Sequence, residues 1–222
     1  MFSPYKLAAS AAVLTFALAG PALARNNSDA AGAQKVVAGA AQDIHTLTAD
    51  QNFASLLKRA KGVFIVPTAF KGALVVGGSG GTGVLLVHHN GRWSNPAFLT
   101  LSSISIGAQA GAKGGTLVLF LMTDKAVADF TQKNNFSLNA NASLAVVKWS
   151  PSAQGSAGKG DVIVWSGENG VFAGADVSGA DIHADTGYDK AYYNNKLTGT
   201  KQIIQSQISP ANASKLMTEL PS

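Results

Sequence analysis

Apolar and polar positions divide this chain into a helical lead-in and a long series of short apolar runs punctuated by glycine. Between Asp43 and Arg59, Ile44, Leu47, Phe53, Leu56 and Leu57 recur at helix-like spacing. Lys58 and Arg59 fall in the last turn, where cations favour the helix dipole. The Ala-rich stretch Gln34–Ala41, with Val36 and Val37 as its apolar face, predicts an earlier helix, and the small polar residues Arg25–Gly32 a poorly ordered lead-in. At Gly62 the helical period stops.

Strand-like runs follow. Val63–Val66, Ala73–Val76 and Val84–Val87 are separated by Pro67 and by six glycines between Gly72 and Gly83. Clustered glycines among strands mark bulges, bends or close backbone approach. Asn90-Gly91 is a strong hairpin signal between Val84–His88 and Trp93–Leu101. Phe98–Ile106 alternates as a half-buried strand should, whereas the unbroken run Leu117–Met122 reads as a central one. Thr123-Asp124 can cap a short helix through Ala126–Phe130. Asn134–Asn141 reads as a loop, Ser143–Trp149 as a strand, and Ser150–Gly160 as a surface loop. Asp161–Ser166 and Val171–Val177 read as strands around a Gly167–Gly170 turn, Asp189–Asn195 as a helical turn, and Pro210–Leu220 as a terminal helix. The expected fold is α+β: a curved antiparallel sheet or small barrel-like core with N-terminal helices and a short C-terminal helix.

Composition narrows the setting. The 222 residues, 46% hydrophobic and 13% charged, suffice for one well-packed domain. Met1–Ala24 has the form of a secretory signal peptide: Lys6, the apolar stretch Leu7–Ala19, then Ala22-Leu23-Ala24 as a cleavage site. The expected organisation is therefore a signal over residues 1–24, a flexible mature N-terminus over 25–33, and one domain over 34–222, periplasmic or secreted. No Cys is present, which excludes disulfides, thiolate metal sites and a Cys nucleophile. Without Lys6 the mature chain carries 16 basic (17 − 1) and 12 acidic side chains, net +4. That surplus suits anionic surfaces. The basic residues are too scattered, with no aromatic-interleaved basic strand, for a nucleic-acid partner.

Several motifs carry possible chemistry. Gly78-x-Gly80-x-x-Gly83 matches a dinucleotide fingerprint and Gly77-x-Ser79-x-Gly81 a nucleophile elbow, but both need a helix next. Val84–Val87 followed by Asn-Gly predicts a strand there, so neither a cofactor nor hydrolase chemistry is expected. Asp181-x-His183-x-Asp185 has period-two spacing that would place three potential ligands for zinc, manganese or a similar ion on one strand face; a solvated strand entering a turn has the same pattern. His88 and His89, being adjacent, would point to opposite faces. Lys58, Arg59 and Lys61 form the densest basic cluster, with Lys71 and Arg92 near strand ends. Beside Phe53, Leu56 and Leu57 they could form an interfacial site, or belong to a core-facing helix with solvated cations.

The chain resembles the SYLF family of lipid-binding domains, found in actin-patch proteins and in exported bacterial proteins. The resemblance is carried by Ala60–Pro67, Val76-Gly77-Gly78 with Gly83-Val84-Leu85, Trp93-Ser94-Asn95-Pro96, Gly107-Ala108-Gln109-Ala110-Gly111, Asn169–Gly174, and Asp185 with Ala191-Tyr192-Tyr193. It extends from about Leu56 to Asn195. Two departures stand out: Lys113 lies near a commonly acidic position, and Gly77–Gly83 has no basic residue. The resemblance implies a β-rich, non-catalytic domain that binds anionic, phosphoinositide-like headgroups. It selects Lys58, Arg59, Lys61, Lys71 and Arg92 as the expected lipid contacts, met peripherally at a membrane. Rival expectations are an envelope protein–protein interaction module and a metal-dependent hydrolase using Asp181, His183 and Asp185.

Overall fold

Residues 62–66 and 117–121 are apolar almost without interruption, and in the computed structural model they pair as β1 (Gly62–Val66) and β6 (Leu117–Leu121) at the centre of a sheet, buried on both faces. Runs with no polar alternate are what a strand covered on both sides requires. The structure describes residues 20–67, 81–102, 105–106, 116–138, 144–149, 160–166, 175–176 and 180–221, with side chains from Ser28 onward except at 105–106, 148 and 175–176.

Three other strands flank this centre: β2 (Gly81–His89), β4 (Ala97–Ser102) and β9 (Val162–Ser166). With β7 (Asn135–Ser137), β8 (Val146–Lys148) and β11 (Asp181–Ala184) they form a curled sheet in the order β7-β11-β4-β2-β1-β6-β9-β8. The two-residue β3 (Arg92–Trp93) pairs with β2 alone. The short β5 (Ser105–Ile106) and β10 (Ala175–Asp176) form a separate ladder. Among the described strands, pairing is antiparallel except between β8 and β9, a parallel pair at the sheet edge. The α+β expectation holds.

Local chemistry accounts for the joints. Asn90 and Gly91 both have positive φ, 51° and 74°, the backbone of a type I′ turn, and the hairpin they close sets His88 opposite Trp93 and His89 opposite Arg92. Gly83 lies where a Cβ would collide with the Ile65 carbonyl oxygen of β1, so a side chain would push these central strands apart. The helix that both glycine motifs would need after Gly83 is absent, because β2 continues through that position.

The helical lead-in differs from its expected form. α1 spans Gly20–Leu47, running through residues 25–33 where the polar composition suggested disorder. The single helix expected over Asp43–Arg59 is broken after Leu47, and α2 (Gln51–Arg59) starts afresh with Asp50 as its cap, accepting bonds from the Asn52 and Phe53 amides. An Asp side chain that reaches the free amides of a first turn favours a new start over a continuous helix. Thr123 caps α3 (Asp124–Gln132) as expected. α4 (Thr186–Tyr192), α5 (Thr200–Gln205) and α6 (Ala213–Glu219) complete the chain. β7 lies in the stretch expected as a loop, and Ser94–Pro96 interrupts the strand expected over Trp93–Leu101. Ala73–Val76, the loop expected over Ser150–Gly160 apart from Gly160, the Gly167–Gly170 turn and the strand expected over Val171–Val177 apart from Ala175 and Asp176 lie outside the described residues.

Two apolar clusters occupy the two sheet faces. On one, α1 and α2 cover Val63, Ile65, Val84, Leu86, Phe120 and Trp165. Phe53 sits edge-on to Phe120 and Trp165 with centroids 5.1 and 5.3 Å apart. Burying one such ring contributes roughly 1.5–3 kcal/mol. On the other face, α3 places Ala126 and Phe130 against Phe64, Leu119 and Leu121.

Candidate functional site

Strand register sorts the connections. β1 begins, β2 ends and β6 ends at one end of the sheet, because Gly62 pairs with both Val87 and Leu121. α2 delivers its last turn there, and the exposed side chains of Lys58 and Arg59 stand immediately before Ala60 and Lys61 lead into β1. Lys61 is held by its backbone: its amide donates to the Leu121 carbonyl at 2.8 Å, and its carbonyl accepts from the His88 amide at 2.8 Å. The β2–β3 hairpin brings His89 and Arg92, both exposed, to the same end.

Four of the five expected lipid contacts are thus brought to one end; Lys71 lies outside the described residues. They are not equivalent. Lys61 Nζ forms an ion pair of 2.6 Å with Asp124 at the start of α3, which partly neutralises it. Phe53, Leu56 and Leu57 do not reach a membrane from this site. All three are buried in the core, so α2 is a core-facing helix with solvated cations.

Beside this end lies a half-open cleft of about 750 Å³. The end of β2 and the hairpin supply Val87, His89, Arg92 and Trp93; α3 supplies Val127, Thr131 and Gln132; α5, α6 and the segment between them supply Lys201, Ile204, Ser209 and Met217. Its walls are fixed by hydrogen bonds. Trp93 Nε1 donates to the Pro221 carbonyl at 2.7 Å. Ser94 Oγ accepts from the Val87 amide at 3.0 Å and donates to the Asn95 carbonyl. Asn95, almost fully buried, uses Nδ2 to hold the Ser206 and Ile208 carbonyls at 3.0 and 2.8 Å, which locks the outer segment in place. Among the described residues, no Asp or Glu lines the cleft.

The Asp181, His183, Asp185 row behaves differently. β11 pairs with β4 and β7, with Ile182 turned into the core and Asp181 and His183 half-buried on the other face. Strand period two stops before the third member. Asp185 lies beyond β11, where its Oδ1 caps α4 by accepting from the Tyr188 amide at 3.0 Å and its Oδ2 accepts from Thr100 Oγ1 at 3.3 Å. His183 Nε2 lies 3.0 Å from Ser102 Oγ. Among the described residues no group of three His, Asp or Glu side chains is arranged to hold a metal ion. Of the row expected to face a metal, the side chains of His183 and Asp185 form hydrogen bonds within the fold.

Among the described residues, Asp161 and Asp189 have shifted proton affinities. Asp161 at the head of β9 accepts from the Ala145 amide and from Thr123 Oγ1, which hold its carboxyl below the usual carboxylate range. Asp189 in α4 is fully buried, and desolvation pushes its carboxyl up to about 7 despite the 3.0 Å bond that Oδ1 accepts from the Phe98 amide. Burial likewise raises the Tyr193 hydroxyl, which donates to the Pro96 carbonyl. Asn95 belongs to the Trp93–Pro96 passage that carries the family resemblance, but nothing in the sequence gives it, Lys201, Thr131 or Met217 a binding role. The signal that could have drawn attention was the polar break Ser94-Asn95-Pro96 inside an apolar run.

The fold and site together define an α+β half-barrel domain with a cationic end and a preformed cleft. The Ysc84 family, described as "Las17-binding protein actin regulator", matches residues 102–222, and the chain belongs to that family. It is 28% identical over 193 residues to LAS seventeen-binding protein 3 of Saccharomyces cerevisiae, covering 84% of this chain and 42% of that protein. It is 28% identical over 174 residues to Protein YSC84 of the same yeast, covering 75% of this chain and 37% of that one. With the Homo sapiens SH3 domain-containing YSC84-like protein 1 it shares 24% identity over 173 residues, 76% of this chain and 50% of the relative. The chain thus spans half or less of the length of these curated relatives.

Proposed function

We propose that this protein is an exported, non-catalytic binding protein that meets anionic membrane lipid peripherally through the cationic end of its sheet. The observation that carries the reading is the convergence of Lys58 and Arg59 from α2 with Lys61 and with Arg92 of the hairpin. Of these, Lys58, Arg59 and Arg92 have no carboxylate partner among the described residues. Each cation held near an anionic bilayer contributes about 1 kcal/mol, so three give a usable but salt-sensitive affinity. The form of Met1–Ala24 supports export, and no described helix is long and apolar enough to cross a membrane, which suits peripheral contact.

The names of the yeast relatives favour a second reading, a protein partner at the same surface. Co-sedimentation of the mature chain, from Arg25 onward, with neutral and anionic vesicles at two salt concentrations separates the two. Binding to anionic vesicles alone, weakened by salt, supports the lipid reading. Absence of binding to either kind of vesicle rejects it and leaves the protein-partner reading.

A further inference from the structure

The cleft carries more than the flat cationic end does. Its volume, about 750 Å³, lies within the range of sites that enclose a small molecule, and its walls are already hydrogen-bonded in place. A preformed site avoids the ordering cost that a flexible one incurs on binding. Its lining is divided. Val87, Trp93, Val127, Ile204 and Met217 present apolar surface, while Arg92, Lys201 and His89 are exposed around it with no opposing carboxylate among the described residues. Ile208, half exposed at 51%, stands on the segment that Asn95 pins beside the opening.

An apolar ligand would leave the two permanent cations without a role, and a bare oxyanion would leave the apolar wall uncovered. We propose that the cleft binds one anionic amphiphile, with a phosphate or carboxylate head held between Arg92 and Lys201 and an apolar chain lying along Trp93, Val127, Ile204 and Met217. Arginine and lysine together hold an oxyanion by charge-assisted hydrogen bonds, and the chain is held by removal of its surface from water. Such a ligand could come from a bilayer or as a monomer from solution. The proposal deepens the membrane reading through the shared Arg92, but it does not depend on Lys58 or Arg59.

The test is calorimetric titration of the mature chain, from Arg25 onward, with decyl phosphate below its micelle concentration, beside decyl maltoside and inorganic phosphate. Decyl phosphate is expected to bind one to one, about tenfold or more tightly than either control. Lys201→Glu should weaken it about tenfold or more, and Met217→Trp, which fills the cleft, should abolish it with the circular dichroism spectrum unchanged. Equal affinity for decyl maltoside, or unchanged binding in Lys201→Glu, overturns the proposal. Vesicle co-sedimentation of the same samples identifies the source and separates the two readings. Decyl phosphate binding without vesicle binding upholds the cleft with a soluble ligand and rejects the membrane reading. Vesicle binding without decyl phosphate binding rejects the cleft alone.

Discussion

The β11 row and the cleft beside the cationic end are both polar regions at the margin of the same sheet, and they are built in opposite ways. The row is nearly contiguous in sequence, Asp181 to Asp185, and its groups bond to near neighbours: Asp185 caps the next helix, and His183 meets Ser102 on the adjoining strand. The cleft draws on residues as far apart as Val87 and Met217, and its cations find no acidic partner among the described residues. A side chain whose hydrogen bonds are satisfied inside the fold stabilises it; one left exposed and unpaired beside apolar surface is available to a ligand. The difference assigns stability to the row with α4, and it is the ground for the proposal that the cationic end and its cleft bind a ligand.

Mutations can break that division if it is wrong. The largest effect is expected at Asp189. Its folded-state proton affinity is raised, so the folded state binds a proton more tightly than the unfolded chain does. Stability is then complete at pH values below the usual carboxylate range and declines as pH rises towards about 7. The decline should amount to roughly 3–5 kcal/mol. Asp189→Asn, which keeps an acceptor for the Phe98 amide, should flatten it. Urea denaturation at pH 4.5 and pH 8 reads both, and a wild-type protein equally stable at the two would refute the assignment. Vesicle binding should be unaltered.

Next in size is the double charge reversal Lys58→Glu with Arg59→Glu. At about 1 kcal/mol per surface cation, removing two and adding two opposite charges should cost at least tenfold in anionic vesicle affinity. Both side chains are exposed and neither has an ion pair among the described residues, so the denaturation midpoint should barely move. A large loss of stability would mean that these cations belong to the structural class instead.

Asp185→Ala should have the converse signature. Loss of the α4 cap destabilises by about 1 kcal/mol while decyl phosphate and vesicle affinities stay at wild type. Altered metal content or altered ligand affinity in this variant would reopen the row as a site. The smallest effect is expected from Lys61→Ala. Its ion pair with Asp124 is exposed, and such pairs contribute about 0–1 kcal/mol, so a thermal melt should shift by no more than a few degrees.

Much of the fold could be read from residue order. The central strands are legible because Val63–Val66 and Leu117–Leu121 are apolar at every position, and the hairpin because Asn90-Gly91 accepts positive φ at both central positions. Thr123 announced α3 in the same way. Less legible was the break between α1 and α2, since Asp50 competes as a cap only once Phe53 has a core to enter. The parallel β8–β9 pair was invisible too, because register between distant strands is set by packing. Of the site, Lys58, Arg59, Lys61 and Arg92 stood out as cations near element ends. Their partners in the cleft did not, because Lys201, Ile204 and Met217 resemble ordinary residues of short amphipathic helices.

What the chain determined by itself was local: where apolar period changes, where a side chain can cap a helix, and where only glycine or asparagine fits a turn. Tertiary structure decided which of its polar groups remain available. Asp185 and His183 were taken up by neighbours within hydrogen-bond reach, Lys61 was partly neutralised by Asp124, and Arg92 and Lys201 were carried to a shared opening from positions more than a hundred residues apart. Availability depends on what lies within a few ångströms, and distance along the chain does not record that.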